Sequence, residues 1–182
     1  MVTINVRPIH EIISTKSVKG ERTLKIENRR FAEKALKYLL VGSQMDGIKF
    51  ASEVSAISLI FTHYDRKEDD VFILTIETAW TVYDEVPLVY PSSEREVPTH
   101  TEEQHFKHIW DVKRQRIVDV HLGHRSPHLI ILFESGSILF INGHDTNYES
   151  WQLGDHWGGS DNDHLVAIPG DDIAIWSPEH FE

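Results

Sequence analysis

The chain has 182 residues and no cysteine, so disulfide bridges, zinc–thiolate sites and cysteine nucleophiles are excluded. Hydrophobic residues make up 40% of it and charged residues 26%, values typical of one globular domain over residues 1–182. No apolar run approaches the ~20 residues of a membrane span, and the N-terminus lacks the layout of a secretion signal. We therefore expect a cytoplasmic protein with no membrane partner.

The net charge of −11 is concentrated in the last third of the chain. Residues 126–182 hold ten Asp and Glu and no Lys or Arg, whereas residues 1–125 hold all 18 basic residues against 19 acidic ones. A surface of one sign speeds encounter with oppositely charged partners and repels phosphate. The distribution favours a basic protein partner over nucleic acid, and the alternative is an acidic surface that only aids solubility.

Hydrophobic spacing predicts the elements of the first half in order. Strands at Val2–Val6 and Thr23–Ile26 precede a helix at Arg29–Val41, which begins after the N-cap Asn28 and ends before Gly42. The helix carries an apolar stripe of Phe31, Ala32, Ala35, Leu36, Leu39 and Leu40. A period of two then predicts strands at Ile48–Ala51, Ala56–Phe61, Val71–Ile76 and Thr78–Tyr83. A short helix at Thr101–Trp110 follows, with Thr99 and Glu102 as its capping box.

The central element of the second half is a predicted β-hairpin. Two apolar runs, Leu129–Phe133 and Ile138–Ile141, flank a turn that contains Gly136. A two-residue loop at Ser135 and Gly136 would place Phe133 opposite Ile138. Both faces of this hairpin are apolar, so we expect it to be covered on two sides.

The plan of strand, hairpin and tryptophan segment occurs twice, at residues 47–84 and 115–153. Trp80 and Trp151 occupy matching places, which suggests an internal duplication, although two generic meanders are the alternative. A strand at Arg116–Leu122 opens the second unit, and a last hairpin is predicted at residues 164–177. The fold class is therefore α+β, mainly antiparallel β, with two similar β-meander units and one helix packed against the sheet.

Twelve histidines raise the question of a metal site. His121, His124 and His128 lie within eight positions, and imidazoles are common ligands of transition metals. Their spacing matches neither the i,i+4 pairs of helical sites nor the i,i+2 pairs of strands. A histidine-dependent metal-binding protein or metalloenzyme is thus the alternative function, and we expect no cofactor. His100, His105 and His108 form a second set.

Two polar segments are candidates for binding. The loop at residues 154–163 has the composition of a calcium loop but not its alternating ligands, and Trp157 would be an exposed apolar anchor there. The segment at residues 142–151 places His144 beside Asp145, with Ser150 near, yet no activated-serine motif is present, so we expect no catalytic residue. The predicted partner-binding residues are Asp145, Glu149, Asp155, Trp157, Asp161 and Asp163.

Two runs carry a family resemblance: F-E-S-G with Y-E-S-W-Q-L (Phe133–Gly136 and Tyr148–Leu153), and A-I-P-G-D-D-I-A-I-W (Ala167–Trp176). With them the chain resembles small, β-rich, cysteine-free bacterial proteins of toxin–immunity loci. The resemblance implies a non-enzymatic protein that neutralises a toxin by tight binding. Together with the charge distribution it predicts an immunity protein against a cationic toxin such as a nuclease. A structural domain that assembles through an exposed sheet edge is a further alternative.

Overall fold

A computed structural model describes residues 26–50, 56–66, 70–155 and 164–176, without the side chains of residues 26, 27 and 155. In these ranges the chain forms α1 (Ile26–Leu40), β1 (Gln44–Phe50), β2 (Ile57–His63), β3 (Asp70–Ile76), β4 (Trp80–Tyr83), α2 (Glu102–Val112), β5 (Ile117–Leu122), β6 (Leu129–Phe133), β7 (Ile138–Ile141), β8 (Trp151–Asp155), β9 (His164–Ile168) and β10 (Asp172–Trp176). The predicted strand Val2–Val6 lies outside the described residues. Ile26, expected in a strand, opens helix α1 instead.

The described strands form two sheets in which every pairing is antiparallel. The first sheet has the order β1-β2-β3-β8-β9-β10, and the second has the order β4-β7-β6-β5. The predicted α+β class, mainly antiparallel β, is confirmed. Neither of the two α-helices in the described ranges is long and apolar enough to cross a membrane.

The two meanders, β1–β3 and β5–β7, exchange their fourth strands. Strand β3 pairs with β8, which follows the second meander, and β7 pairs with β4, which follows the first. In this exchange Ile76 lies opposite Trp151, and Ile141 lies opposite Trp80. A duplication would produce this reciprocal arrangement, and the duplication itself stays a prediction.

The second sheet is buried on both faces, as the apolar composition of its hairpin predicts. Its inner face and the first sheet share one core with the stripe of α1, in which Ala32, Leu36 and Leu39 are buried. Its outer face packs Ile130 and Phe140 against the segment that contains Val97. Burying side chains of this size contributes about 1.5–3 kcal/mol each, so the hairpin's apolar residues stabilise the core.

The register of the β6–β7 hairpin differs from the prediction by one residue. Leu132, rather than Phe133, lies opposite Ile138. The loop has three residues, since Phe133 donates its N–H to the carbonyl of Ser137, and Gly136 takes the left-handed conformation with φ 92°. Three-residue hairpin loops favour glycine at this left-handed position.

Helix α2 begins at Glu102, one residue later than predicted. Thr101 is its N-cap and forms the capping box with Gln104, so the expected pair Thr99 and Glu102 is wrong. The Thr101 hydroxyl accepts from the Gln104 N–H, and the Gln104 side chain accepts from the Thr101 N–H. Because this reciprocal pair satisfies two donors at the helix start, it outcompetes the alternative two residues upstream.

The carbonyl group of Pro127 joins the two sheets. Trp151, fully buried in β8 of the first sheet, donates its indole N–H to this carbonyl at 2.7 Å, just before β6 of the second. Gly143 packs against the same group from the other side, since a Cβ at residue 143 would lie 2.1 Å from the Pro127 oxygen. Only glycine fits at this closely packed position.

We predict that Gly143→Ala lowers the free energy of unfolding by about 3 kcal/mol, because backbone atoms cannot move aside as a side chain can. Gly136→Ala is the matched control: its Cβ would meet nothing within 4 Å, and only the left-handed backbone penalises it, by about 1 kcal/mol. Urea unfolding of both variants measures the difference. Equal destabilisation by the two substitutions would contradict the close packing at Pro127.

Candidate functional site

A cavity of about 580 Å³ opens where β6 begins and β7 ends. Ile130 and Phe140 of the second sheet's outer face form its floor. The loops at residues 89–96 and 123–128 form its walls. Its lining combines apolar side chains with polar and charged ones, and its volume lies in the range of ligand-binding cavities.

His144 and Asp171 form the polar edge of this cavity. The Nδ1 atom of His144 lies 2.5 Å from Oδ1 of Asp171, and the two side chains are 37% and 18% exposed. Asp171 lies in the three-residue loop between β9 and β10 with a left-handed φ of 64°. The Gly170 N–H donates to the Asp145 carbonyl at 3.0 Å, which fixes this loop beside the segment that carries His144. Since a carboxylate only accepts, the shared proton resides on Nδ1 and leaves Nε2 as an acceptor when the ring is neutral.

His128 is a buried, neutral member of the cavity wall. Its Nδ1 accepts the Gly143 N–H at 2.9 Å, and its ring also hydrogen-bonds the Ser92 backbone. Burial lowers the pKa of His128 from 6.5 to about 4. The ring therefore carries no charge into the cavity at neutral pH.

Tyr90 supplies the aromatic wall. Its ring stacks on Phe140 with the ring centroids 5.8 Å apart. Its hydroxyl oxygen is buried and has no hydrogen-bond partner among the described residues. Burial raises the pKa of Tyr90 to about 12, so the phenol stays neutral.

Four carboxylates gather beside the cavity and form what we call the acidic end: Asp145, Glu149, Asp171 and Asp172. Two hydrogen bonds bring them together, from Gly170 to Asp145 and from the Ser150 N–H to the Ala167 carbonyl. None of the four forms an ion pair with a Lys or Arg in the described part of the chain. The charged partner that the described residues give this group is His144, which pairs with Asp171.

Asp145 shapes the loop of the acidic end. Its Oδ1 accepts the N–H groups of Asn147 at 2.6 Å and Tyr148 at 2.8 Å, and these bonds lower its pKa. An Asx turn of this kind holds the backbone in place. Tyr148, which follows, is 74% exposed and directed away from the core.

The predicted partner-binding residues are thus only partly placed. The structure brings Asp145 and Glu149 together at the acidic end, where Glu149 is exposed and accepts from Gln152. Trp157, Asp161, Asp163 and the side chain of Asp155 lie outside the described residues. Glu134, another carboxylate of the acidic third, lies at the opposite end of the β6–β7 hairpin.

The three histidines of the metal alternative do not converge. His121 contacts Glu33 and Asp119, with its Nε2 2.9 Å from Oδ2 of Asp119. His124 lies 3.0 Å from the guanidinium of Arg29, and His128 has the partners given above. In the ranges that the structure describes, no group of three or more His, Asp or Glu is placed to hold a metal.

The second histidine set packs around Trp80. The rings of His100 and His108 lie 4.6 Å apart between centroids, and His105 stacks on Trp80 at 4.6 Å. Burial and the neighbouring imidazoles lower the pKa of His100 and of His105. This set supports the packing of α2 against β4.

The hydrogen bond between His144 and Asp171 has the geometry of a general base held by a carboxylate. Among the described residues no serine or threonine hydroxyl is hydrogen-bonded to His144. Ser150, which the sequence places near, is buried, and its N–H pairs with Ala167. The pair can accept a proton or a hydrogen bond from a ligand.

Sequence reasoning missed the partner of His144. The polar segment suggested Asp145 beside it, whereas the structure pairs His144 with Asp171, which is 27 positions away. Tyr90 was also missed, since it lies in a proline-containing stretch with no period. The Gly170-Asp171 turn was the available signal for this pair, because a loop between two strands can direct a side chain towards a neighbouring segment.

Comparison of the chain with protein-family models, with curated proteins and with solved structures finds no match.

We predict that the His128 ring stays neutral down to about pH 5 and protonates near pH 4. Since the unfolded chain would take up this proton at pH 6.5, the stabilisation is complete above pH 6.5 and is lost as the pH falls towards 4. The free energy of unfolding that is lost between pH 6.5 and 4 amounts to about 3 kcal/mol. NMR titration of the ring protons measures the pKa directly.

His128→Asn keeps an acceptor for the Gly143 N–H, and it should reduce the loss of unfolding free energy between pH 6.5 and 4 by a similar amount. A His128 ring that titrates near 6.5 in the folded protein would contradict its burial.

Proposed function

We propose that this protein is a non-enzymatic binding protein that docks on a basic protein through its acidic end. The partner that fits the family resemblance is a cationic toxin such as a nuclease, which the protein would neutralise as an immunity protein in the cytoplasm. A nuclease has a basic surface for phosphate, and four carboxylates that pair with no Lys or Arg among the described residues complement such a surface.

One observation carries this proposal. Asp145, Glu149, Asp171 and Asp172 meet at one end of the molecule, and no Lys or Arg among the described residues forms an ion pair with any of them. By contrast, carboxylates of the first two thirds, such as Asp65 and Asp119, pair with Arg116 and Lys37. The carboxylates of the acidic end would attract a cation over roughly a Debye length of 8–10 Å.

Tyr148 supports the same proposal as an anchor. Its ring is 74% exposed and is held on the loop that Asp145 shapes. Tyrosine is enriched among the residues that carry most of the binding energy, and it loses little conformational entropy on binding. Charge at the acidic end would then set the association rate. Tyr148, once buried in the interface, would set the dissociation rate.

The test isolates the partner from native cell extract with the wild-type chain and then measures the rates of the purified pair. We expect a protein of basic isoelectric point, and we expect Glu149→Lys to lower its association rate about fivefold at low salt. Glu134→Lys makes the same charge change at the opposite end of the hairpin and should leave the rate nearly unchanged. Equal effects of the two substitutions, or an acidic partner, would overturn the proposal.

Tyr148→Ala should raise the dissociation rate of the same complex about thirtyfold, as loss of a tyrosine anchor worth roughly 2 kcal/mol does. The substitution removes an exposed ring, so the melting temperature should not change. Surface plasmon resonance gives the rate, and circular dichroism controls for folding. An unchanged dissociation rate would exclude Tyr148 from the interface.

A further inference from the structure

The cavity beside the acidic end contains hydrogen-bond acceptors that the described residues leave unused. Asp171 bonds His144 through Oδ1, and its Oδ2 has no partner in the described ranges although the side chain is only 18% exposed. His144 uses Nδ1 in the same bond and has no partner there at Nε2. Both atoms can therefore accept hydrogen bonds from a donor group of a ligand.

The charges of the lining favour a cation. Asp171 contributes a mostly buried carboxylate and Glu96 an exposed one, against the guanidinium of Arg125. His128 is neutral, since both of its ring nitrogens are used within the protein. Opposite charge within a partly buried space attracts more strongly than on an open surface.

The shape and the aromatic wall favour a planar cation on a long stem. Tyr90, whose ring stacks on the buried Phe140, lines the cavity, and arginine stacks on aromatic rings more often than lysine does. A guanidinium offers five donors in a fork, which can reach a carboxylate oxygen and an imidazole nitrogen together. The volume of about 580 Å³ accommodates a whole arginine side chain.

We infer that this cavity receives the guanidinium group of an arginine from the basic partner, with Asp171 and His144 as acceptors and Tyr90 as the stacking wall. This inference rests on the proposed function and deepens it. The acidic end attracts the partner, and the inserted arginine fixes its register.

The test titrates Nα-acetyl-arginine N-methylamide into the full chain and follows the amide signals by NMR. We expect saturable shifts that centre on Ser126, Gly143 and His144. Asp171→Asn should weaken binding about tenfold or more, because it removes the charge from a charge-assisted hydrogen bond. Asparagine tolerates the left-handed backbone at residue 171 and can still accept from His144, so the fold should persist.

Two controls make the result specific. The citrulline derivative has nearly the same shape without the charge, and it should bind at least about tenfold more weakly. Glu134→Gln removes one carboxylate at the far end of the hairpin and should leave arginine binding unchanged. Shift mapping on the wild-type chain locates the site even if Asp171→Asn were unstable.

Absence of saturable shifts, equal binding of the citrulline derivative, or preferred binding of inorganic phosphate would overturn the inference. If the arginine derivative does not bind but Glu149→Lys still slows association with a basic partner, the arginine cavity alone is overturned. Arginine binding in a chain that retains no basic partner would overturn the proposed function instead.

Discussion

The hydrogen bond from Trp151 to the Pro127 carbonyl holds the two sheets together at the place where the cavity forms. Because Gly143 packs on the same carbonyl, the end of β7 is fixed against the start of β6. The N–H of Gly143 then reaches His128, and the next residue, His144, extends towards Asp171. One buried carbonyl thus determines where the polar edge of the cavity lies.

In the proposed complex, the acidic end and the cavity would have different roles in binding. Exposed carboxylates act at long range, are screened by salt, and mainly raise the association rate. The partly buried pair of Asp171 and His144 would act at short range, where charge and geometry would select one ligand group. A partner that presents one arginine from a basic surface would satisfy both features.

The sequence predicted the elements whose burial follows a regular period. The stripe of α1 and the two-faced apolar hairpin were recognised because packing depends on side chains that repeat every three to four or every two positions. Three features could not be predicted from the sequence: the hairpin register, the cap of α2 and the pairing of His144 with Asp171. Each depends on which of several adjacent polar residues makes a hydrogen bond, and tertiary contacts decide that choice.

The most direct measurement is a crystal structure of the complex with the isolated partner. We predict an interface that covers Tyr148, Glu149 and Asp172, with a guanidinium of the partner hydrogen-bonded to the Asp171 carboxylate at about 2.8 Å. An interface at the Glu134 end of the hairpin, or a cavity in which no basic side chain of the partner reaches Asp171, would contradict this view.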